Sequence, residues 1–182
     1  YELPEGSRTS RGQALVNFLQ LGNGEVATAV LTLAKNDEAK FLFMATRKGL
    51  VKKVEREEFA KVRRSGMIAI GLKDDDELKW VAATSGDGQI MMSTSGGQAI
   101  RFFEKEVRGM GRTAAGVTGM RIKKGDEIIS MDVIPKTAVM KDLECLVITE
   151  FGMGKKSPVE DYRVTKRAGS GVRTLNVTAK TG

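Results

Sequence analysis

Side chains that could perform acid–base or nucleophilic chemistry are scarce in this chain. It contains no histidine, which excludes Ser-His-Asp and Cys-His catalysis and most zinc sites. The single cysteine, Cys145, lies in an apolar run and is predicted to be a buried hydrophobic residue rather than a nucleophile. The acidic run 74–77 could bind a hard cation, but similar acidic turns recur along the chain, which favours a solvated turn. We therefore expect no catalytic residue, no metal site and no cofactor within this chain.

Three glycine-containing segments match loose phosphate-binding patterns without the structural context that such sites need. Residues 22–27 and 109–114 fit the dinucleotide pattern, but neither lies between a strand and a long helix. Residues 154–157 resemble the end of a phosphate loop, yet Thr149 occupies the place of the first required glycine and no helix follows. The first two segments are predicted to be hairpin or linker turns, and the third is not predicted to bind phosphate.

The chemically distinctive feature is the placement of the cations. The formal net charge is +7, and basic domains of this kind commonly bind polyanions. Basic residues concentrate in the connections between apolar units and in the outer hairpins. The connections contain Arg8, Arg11, Lys61, Arg63, Arg64, Arg108, Arg112, Arg163, Lys166 and Arg167; the hairpins contain Arg47, Lys48, Lys52, Lys53, Arg101, Lys155 and Lys156. Recurring in phase, they predict a basic stripe suited to sequence-tolerant contact with a phosphate backbone. Aromatic residues are too few at 5% for the stacking platforms of single-strand binders, which favours a duplex.

The elements that would position these cations repeat with a period near fifty residues. Glycines that precede an apolar strand lie at Gly12, Gly66, Gly116 and Gly171, with spacings of 54, 50 and 55. Hairpin glycines lie at Gly49, Gly97 and Gly152. In each period an acidic turn lies between the glycine that precedes the apolar strand and the hairpin glycine. Such a period, with short strands and glycine turns, is typical of propeller-like arrays.

Short apolar runs predict strands throughout the chain. The predicted strands span 14–19, 25–33, 41–46 and 50–54 in the first unit; 67–72, 78–84, 89–94 and 99–103 in the second; 117–122, 128–134, 143–149 and 155–158 in the third; and 172–178 in a fourth. Short helical turns are predicted at 56–61 and 103–107. The run 41–45 is apolar at every position, which predicts a strand buried on both faces.

We therefore predict an all-β, propeller-like array of four-stranded blades. One domain spans residues 1–182, with about three to four blades and repeat units at about 12–60, 66–107, 116–162 and an incomplete 171–182. The lone strand of the last unit leaves an unpaired edge, which indicates truncation or an exchange of strands between neighbouring units. No apolar run is long enough for a membrane helix, so a cytoplasmic location is expected.

Four segments carry a resemblance to a known family. They read YELPEG at 1–6, SRGQALVNFL at 10–19, FMATRKGLVKK at 43–53 and VRGMGRTAAGV at 107–117. In order and spacing they resemble the C-terminal domain of the bacterial DNA gyrase A protein, a type IIA topoisomerase component, more than the related topoisomerase IV protein. The resemblance implies a β-pinwheel whose neighbouring blades exchange strands.

The resemblance also implies a function and a set of partners. It implies a non-catalytic module that binds and wraps double-stranded DNA and supports ATP-dependent negative supercoiling by the holoenzyme. The partners would be duplex DNA, the remainder of the gyrase A protein and the gyrase B protein, without a membrane, in the bacterial cytoplasm near the nucleoid. ATP, Mg²⁺ and the catalytic residues would belong to other parts of the enzyme. The implied DNA-facing residues are Arg11, Arg47, Lys48, Lys52, Lys53, Arg63, Arg64, Arg101, Arg108, Arg112, Lys155, Lys156 and Arg167.

One departure from the family pattern bears on wrapping. The family's hallmark box (glutamine, two basic residues, two glycines, a basic residue and a glycine) is absent, and residues 7–12 do not replace it. The chain is therefore interpreted as a fragment that lacks the blade carrying the box, in which wrapping is weak even if binding persists. Two alternatives stay open: a propeller-like protein-interaction scaffold, and the C-terminal domain of the A-type protein of topoisomerase IV.

Overall fold

The computed structural model describes residues 4–33, 38–62, 65–73 and 75–182. Within these ranges the chain forms ten β-strands and five 3₁₀ turns and no α-helix, which confirms the all-β prediction. The strands are β1 (Phe41–Thr46), β2 (Leu50–Glu55), β3 (Leu78–Thr84), β4 (Gln89–Thr94), β5 (Gln98–Phe103), β6 (Val117–Thr118), β7 (Ile128–Ile134), β8 (Glu144–Ile148), β9 (Gly154–Pro158) and β10 (Val172–Arg173). The 3₁₀ turns lie at Leu15–Asn17, Arg56–Phe59, Glu104–Glu106, Met140–Asp142 and Val159–Asp161. None of the helical turns in these ranges is long enough to cross a bilayer.

The sheets do not coincide with the repeat units of the sequence, because each sheet takes strands from three consecutive units. The first sheet has the order β3-β1-β2-β6 and the second has the equivalent order β7-β4-β5-β10. In both sheets a hairpin from one unit is flanked by the long strand of the next unit and by a two-residue strand of the unit after that. All these pairings are antiparallel, and the arrangement confirms the predicted exchange of strands between neighbouring units. The β8–β9 hairpin forms a separate two-stranded sheet.

The same exchange explains which strand predictions were wrong. The hairpin strands and the long strands β3 and β7 lie within one residue of their predicted bounds. The predicted strands 14–19, 25–33 and 67–72 are not formed, because no described hairpin lies beside them to supply hydrogen-bond partners. Predicted strands 117–122 and 172–178 shorten to two residues each, since only that length pairs with β2 or β5.

The hairpin turns repeat one local hydrogen-bond pattern. In the β1–β2 turn the amide of Gly49 donates to the carbonyl of Thr46 at 3.0 Å, and the amide of Leu50 donates to the Thr46 hydroxyl at 3.1 Å. In the second hairpin the amides of Gly97 and Gln98 donate to the carbonyl and hydroxyl of Thr94. In the third hairpin the amides of Gly152 and Met153 donate to the carbonyl and hydroxyl of Thr149. All three glycines have a φ between 76° and 84°, a left-handed conformation that disfavours other residues.

Apolar packing between the sheets forms the core. One cluster joins Phe43 and Val51 of the first sheet to Ile90 and Phe102 of the second. On the other face of the first sheet, Leu42, Met44 and Val54 pack with Ile70, so β1 is buried on both faces as predicted. A third cluster joins the second sheet to the β8–β9 region through Met91, Ile134 and Tyr162, with the half-buried Cys145 at its edge.

Candidate nucleic-acid interface

The basic connections lie at equivalent positions along the two four-stranded sheets. After the second hairpin the chain runs beside β2, where the amide of Met110 donates to the carbonyl of Lys53 at 2.8 Å. After the third hairpin it runs beside β5, where the amide of Thr165 donates to the carbonyl of Arg101, also at 2.8 Å. We call residues 108–115 the first connection and residues 163–170 the second connection. Each leads into the short strand at the outer edge of its sheet.

This equivalence places pairs of cations in register. Because β6 starts at Val117 and β10 starts at Val172, Arg108 corresponds to Arg163 and Arg112 corresponds to Arg167. Arg108 and Arg163 are both exposed. Each sheet therefore presents a solvent-facing guanidinium at the same point of its connection.

The second pair, Arg112 and Arg167, attaches the connections to their neighbours. The Arg112 Nε lies 3.6 Å from Glu58 Oε2. Arg167 donates from Nε to the carbonyl of Glu106 at 3.2 Å and from Nη1 to the carbonyl of Thr118 at 3.0 Å. Both side chains are half-buried, so their first role is to hold the backbone of the connections in place.

Lys52 is placed in the interior, away from the predicted DNA-facing surface. It is fully buried, and its ammonium donates to the carbonyl of Ala69 at 2.8 Å and to the carbonyl of Arg112. Burial, together with the nearby Arg112 charge, lowers the pKa of Lys52. An enclosed ammonium that already binds two carbonyl oxygens has no path to a phosphate, and Lys52 is therefore removed from the candidate interface.

Lys53 and Arg101 occupy equivalent strand positions, and both are buried. Lys53 Nζ lies 3.8 Å from Glu104 Oε1 and 4.9 Å from the centroid of the Phe41 ring. Arg101 is 7% exposed, and its backbone forms a parallel bridge with Val164 of the second connection. Their sequence signal, a basic residue at the same point of two hairpins, marks a contact between neighbouring units, so both are removed from the candidate interface.

The cations of the first hairpin turn are held by acidic turns of later units. Arg47 lies 3.7 Å from Glu77 and 3.5 Å from Glu127, and Lys48 is paired with Asp75. The hydrogen bond and charge of Lys48 lower the pKa of Asp75, and Arg47 adds to the effect. Arg47 is half-buried, whereas the Lys48 side chain is 42% exposed and stays a candidate for phosphate contact.

The acidic turns have a structural task that the sequence reasoning missed. Asp76 is buried, and its Oδ1 accepts a hydrogen bond from the amide of Lys48 at 3.0 Å. Asp126 accepts the equivalent bond from the amide of Gly96 at 2.8 Å. The prediction of a solvated turn was wrong at Asp76, whereas Asp75 and Glu77 are exposed and Asp126 is half-buried. Both Asp76 and Asp126 satisfy backbone donors of the preceding hairpin. Among the described residues no cluster of carboxylate or cysteine side chains could hold a metal ion.

The remaining predicted residues are scattered. Arg11 is exposed within the N-terminal segment, and Lys155 and Lys156 are exposed on β9, where Lys156 is paired with Glu144. Arg63 and Arg64 lie outside the described residues. Arg163 and Lys166, which the prediction left out of the DNA-facing set, are exposed on the second connection; aligning the two connections in sequence could have found Arg163, since it matches Arg108.

Comparison with known proteins agrees with this fold. The profile of the family "DNA gyrase C-terminal domain, beta-propeller" matches residues 1–33, 40–85, 88–135 and 144–180. The DNA gyrase A protein of Staphylococcus aureus (strain NCTC 8325 / PS 47) is 42% identical over 183 residues, covering 100% of this chain and 20% of that protein. The DNA gyrase A protein of Buchnera aphidicola subsp. Baizongia pistaciae (strain Bp) is 44% identical over 182 residues, covering 100% of this chain and 21% of that protein. The chain thus spans about a fifth of the length of these relatives.

Solved structures of C-terminal domains from type II topoisomerases have a similar fold. The C-terminal domain of a DNA topoisomerase IV matches with a TM-score of 0.79 and 32% identity, covering 89% of this chain and 49% of that one. A DNA gyrase A C-terminal domain matches with a TM-score of 0.81 and 23% identity, covering 95% of this chain and 56% of that one, and so supports the fold. The predicted pinwheel architecture is confirmed, and the chain belongs to the family of DNA gyrase A C-terminal domains.

Proposed function

We propose that this chain is a non-catalytic module that binds duplex DNA through its phosphate backbone and bends it around the sheet edges. The observation that carries the proposal is the register of the two connections, which presents Arg108 and Arg163 to solvent at equivalent points of neighbouring sheets. Lys166 adds a further exposed cation to the second connection. Phosphate contacts repeated at equivalent points of successive sheets would suit a duplex that bends along them.

The family adds the setting in which such a module acts. We propose that the chain wraps DNA for a gyrase holoenzyme and so supports ATP-dependent negative supercoiling, with the remainder of the gyrase A protein and the gyrase B protein as partners in the bacterial cytoplasm. ATP, Mg²⁺ and the residues that cut DNA would be supplied by those other parts.

Salt-dependent binding tests the phosphate-contact assignment. A duplex of ~40 base pairs is titrated with the chain across a salt series, with a single strand of the same sequence as control. The expected result is steep salt dependence, little dependence on sequence and a preference for the duplex. The variant Arg108→Gln/Arg163→Gln is expected to reduce the slope of log K against log salt by ~0.9 per lost contact, close to two units in all.

A matched variant separates these contacts from net charge. Lys136→Gln with Lys141→Gln removes the same two charges from exposed sites that lie outside both connections. Its salt slope is expected to stay close to that of the unaltered chain. Equal loss of slope in the two variants would show diffuse charge attraction and would overturn the assignment of the connections.

A holoenzyme assay tests the role in supercoiling. The full-length gyrase A protein carrying the Arg108→Gln/Arg163→Gln change is combined with the gyrase B protein and relaxed plasmid in the presence of ATP. The expected result is slower negative supercoiling with DNA cleavage retained, because the substitutions lie outside the catalytic parts. Unchanged supercoiling would contradict a wrapping role for the connections.

A further inference from the structure

The guanidinium of Arg167 joins the two ends of the first connection, although Arg167 itself belongs to the second connection. It donates from Nε to the carbonyl of Glu106 at 3.2 Å and from Nη1 to the carbonyl of Thr118 at 3.0 Å. Glu106 precedes the first connection and Thr118 follows it, so one side chain holds residues 107–117 as a closed loop. We propose that Arg167 thereby positions Arg108 for contact with a phosphate, an inference that rests on the proposed DNA binding.

The arginine at the equivalent place in the first connection makes the same kind of contact one unit earlier. The Nη1 atom of Arg112 lies 3.5 Å from the carbonyl oxygen of Ile68, and its Nε atom lies 3.6 Å from Glu58 Oε2. In the repeat, Ile68 corresponds to Thr118 and Glu58 corresponds to Glu106. An arginine that reaches both ends of the preceding connection is therefore a repeated feature of the array.

The backbone that carries the Arg167 side chain is anchored to the same two places. The amide of Arg167 donates to Glu106 Oε2 at 3.1 Å, and the amide of Ala168 donates to the carbonyl of Gly119 at 2.6 Å. Ala168 has a φ of 64°, a left-handed conformation that a residue with a Cβ atom adopts only where its surroundings enforce it. The second connection is thus attached to both ends of the first through its backbone as well as through the guanidinium.

Arg108 lies between two points at which the backbone of the first connection is held. Just before it, the carbonyl of Glu106 is bound by Arg167. Just after it, the amide of Met110 donates to the carbonyl of Lys53 at 2.8 Å. The side chain of Arg108 is exposed. A cation on a backbone that is already ordered loses less conformational freedom when it binds, so this anchoring favours contact with a phosphate.

A charge-conserving variant separates positioning by Arg167 from direct phosphate contact. Lysine has a methylene group where arginine has Nε, so Arg167→Lys leaves the carbonyl of Glu106 without this donor while it keeps the positive charge. A residue that contacts phosphate through its charge tolerates this change. A residue that positions the first connection through two hydrogen bonds does not.

Hydrogen exchange tests the closure of the loop in the absence of DNA. The amides of Met110 and Ala114 are hydrogen-bonded in the first connection. Arg167→Lys is expected to speed their exchange roughly fivefold, the factor that corresponds to one lost hydrogen bond. Arg173→Lys is the matched control, because Arg173 is exposed on β10 outside both connections. Unchanged exchange in Arg167→Lys, or an equal change in the control, would overturn the closure.

Duplex binding in a double-mutant cycle tests the positioning. Arg167→Lys is expected to lower the slope of log K against log salt by ~0.9 in a chain that retains Arg108. In an Arg108→Gln chain it is expected to leave the slope unchanged, because the contact that it positions is already lost. An equal fall in both backgrounds would show that Arg167 contacts phosphate itself, and no fall in either would show that Arg108 needs no positioning; each result overturns the inference.

The single variants distinguish a failure of this inference from a failure of the proposed function. If Arg108→Gln alone leaves the slope unchanged, the phosphate contact is refuted and the positioning role is refuted with it. If Arg108→Gln lowers the slope and Arg167→Lys does not, only the positioning role is overturned. Arg173→Lys is expected to bind the duplex like the unaltered chain, and far-ultraviolet circular dichroism verifies that every variant keeps its strands.

Discussion

Lys53 and Glu104 form a buried ion pair across the boundary between the first and second sheets. The Nζ and Oε1 atoms are 3.8 Å apart, and the side chains are 7% and 0% exposed. Thr84 donates a hydrogen bond to the same carboxylate at 2.6 Å. A cation that the sequence assigned to DNA therefore joins two sheets of the array.

Removing one member of this pair is expected to destabilise the array strongly. Glu104→Ala leaves the Lys53 ammonium buried without its counter-ion, which costs ~3–5 kcal/mol in comparable sites. Urea unfolding measures the free energy of unfolding. Lys136→Ala is the control, since its pair with Asp87 is 74% and 52% exposed, and the expected loss there is below ~1 kcal/mol. A loss at Glu104 no larger than that of the control would contradict a structural role for the pair.

The hairpin glycines differ in what surrounds them, which predicts different costs for the same substitution. A Cβ at Gly97 would lie 2.3 Å from the carbonyl oxygen of Leu175 in the exchanged strand segment, whereas a Cβ at Gly152 meets no atom within 4 Å. Gly152→Ala is expected to cost ~1–2 kcal/mol from the left-handed conformation. Gly97→Ala is expected to cost a further ~1–3 kcal/mol from the clash. Equal losses on denaturation would show that the exchanged segment does not pack against the turn.

The Asp126 carboxylate, which accepts hydrogen bonds from the amides of Gly96 and Glu127, predicts a loss of stability in acid. We call this arrangement the Asp126 cap. Burial raises the pKa of Asp126, but hydrogen bonds from the Ser95 and Thr94 side chains and from the amides of Gly96 and Glu127 outweigh it, so the pKa lies below its ordinary value. The unfolded chain then binds the proton first as the pH falls. The stabilisation is present above the unfolded pKa of about 3.9 and is lost as the pH falls through the folded pKa.

Denaturation at about pH 6 and about pH 3 checks this prediction. Asp126→Asn is expected to be less stable at the higher pH and to lose less stability on acidification than the unaltered chain. Ser95→Ala removes one donor to the carboxylate and is expected to give an intermediate acid dependence. An identical acid dependence in all three chains would contradict the cap.

Lys52 separates structural cations from phosphate-binding ones. Lys52→Met leaves the carbonyls of Ala69 and Arg112 without their shared donor, and the free energy of unfolding is expected to fall by ~1–3 kcal/mol. The salt slope for duplex binding is expected to stay unchanged, because no phosphate contact is removed. A slope lower by ~0.9 would return Lys52 to the DNA interface.

Local patterns were sufficient for most of the elements. The turn at 46–49 and its two counterparts are specified by a hydroxyl acceptor and a glycine within four residues, and the strands beside them are short runs rich in apolar residues. The long strands β3 and β7 were equally predictable, because each follows an acidic turn that ends the preceding loop. These features depend on residues that are close in sequence. The same local pattern therefore recurs in each repeat unit and can be recognised from the sequence.

The sequence alone therefore determined the repeat, the hairpins, the all-β class and the family, whereas tertiary structure decided which strands pair and which cations face solvent. Strand pairing requires a hairpin from another unit. Of two similarly apolar segments, 78–84 therefore forms a strand whereas 67–72 does not. Lys52 illustrates the same reason at the level of one side chain: its acceptors lie 17 and 60 residues away along the chain. The sequence of a repeat does not show whether a basic residue binds a buried carbonyl oxygen or remains exposed to water. Only the packing of units that are distant in sequence decides between these two positions.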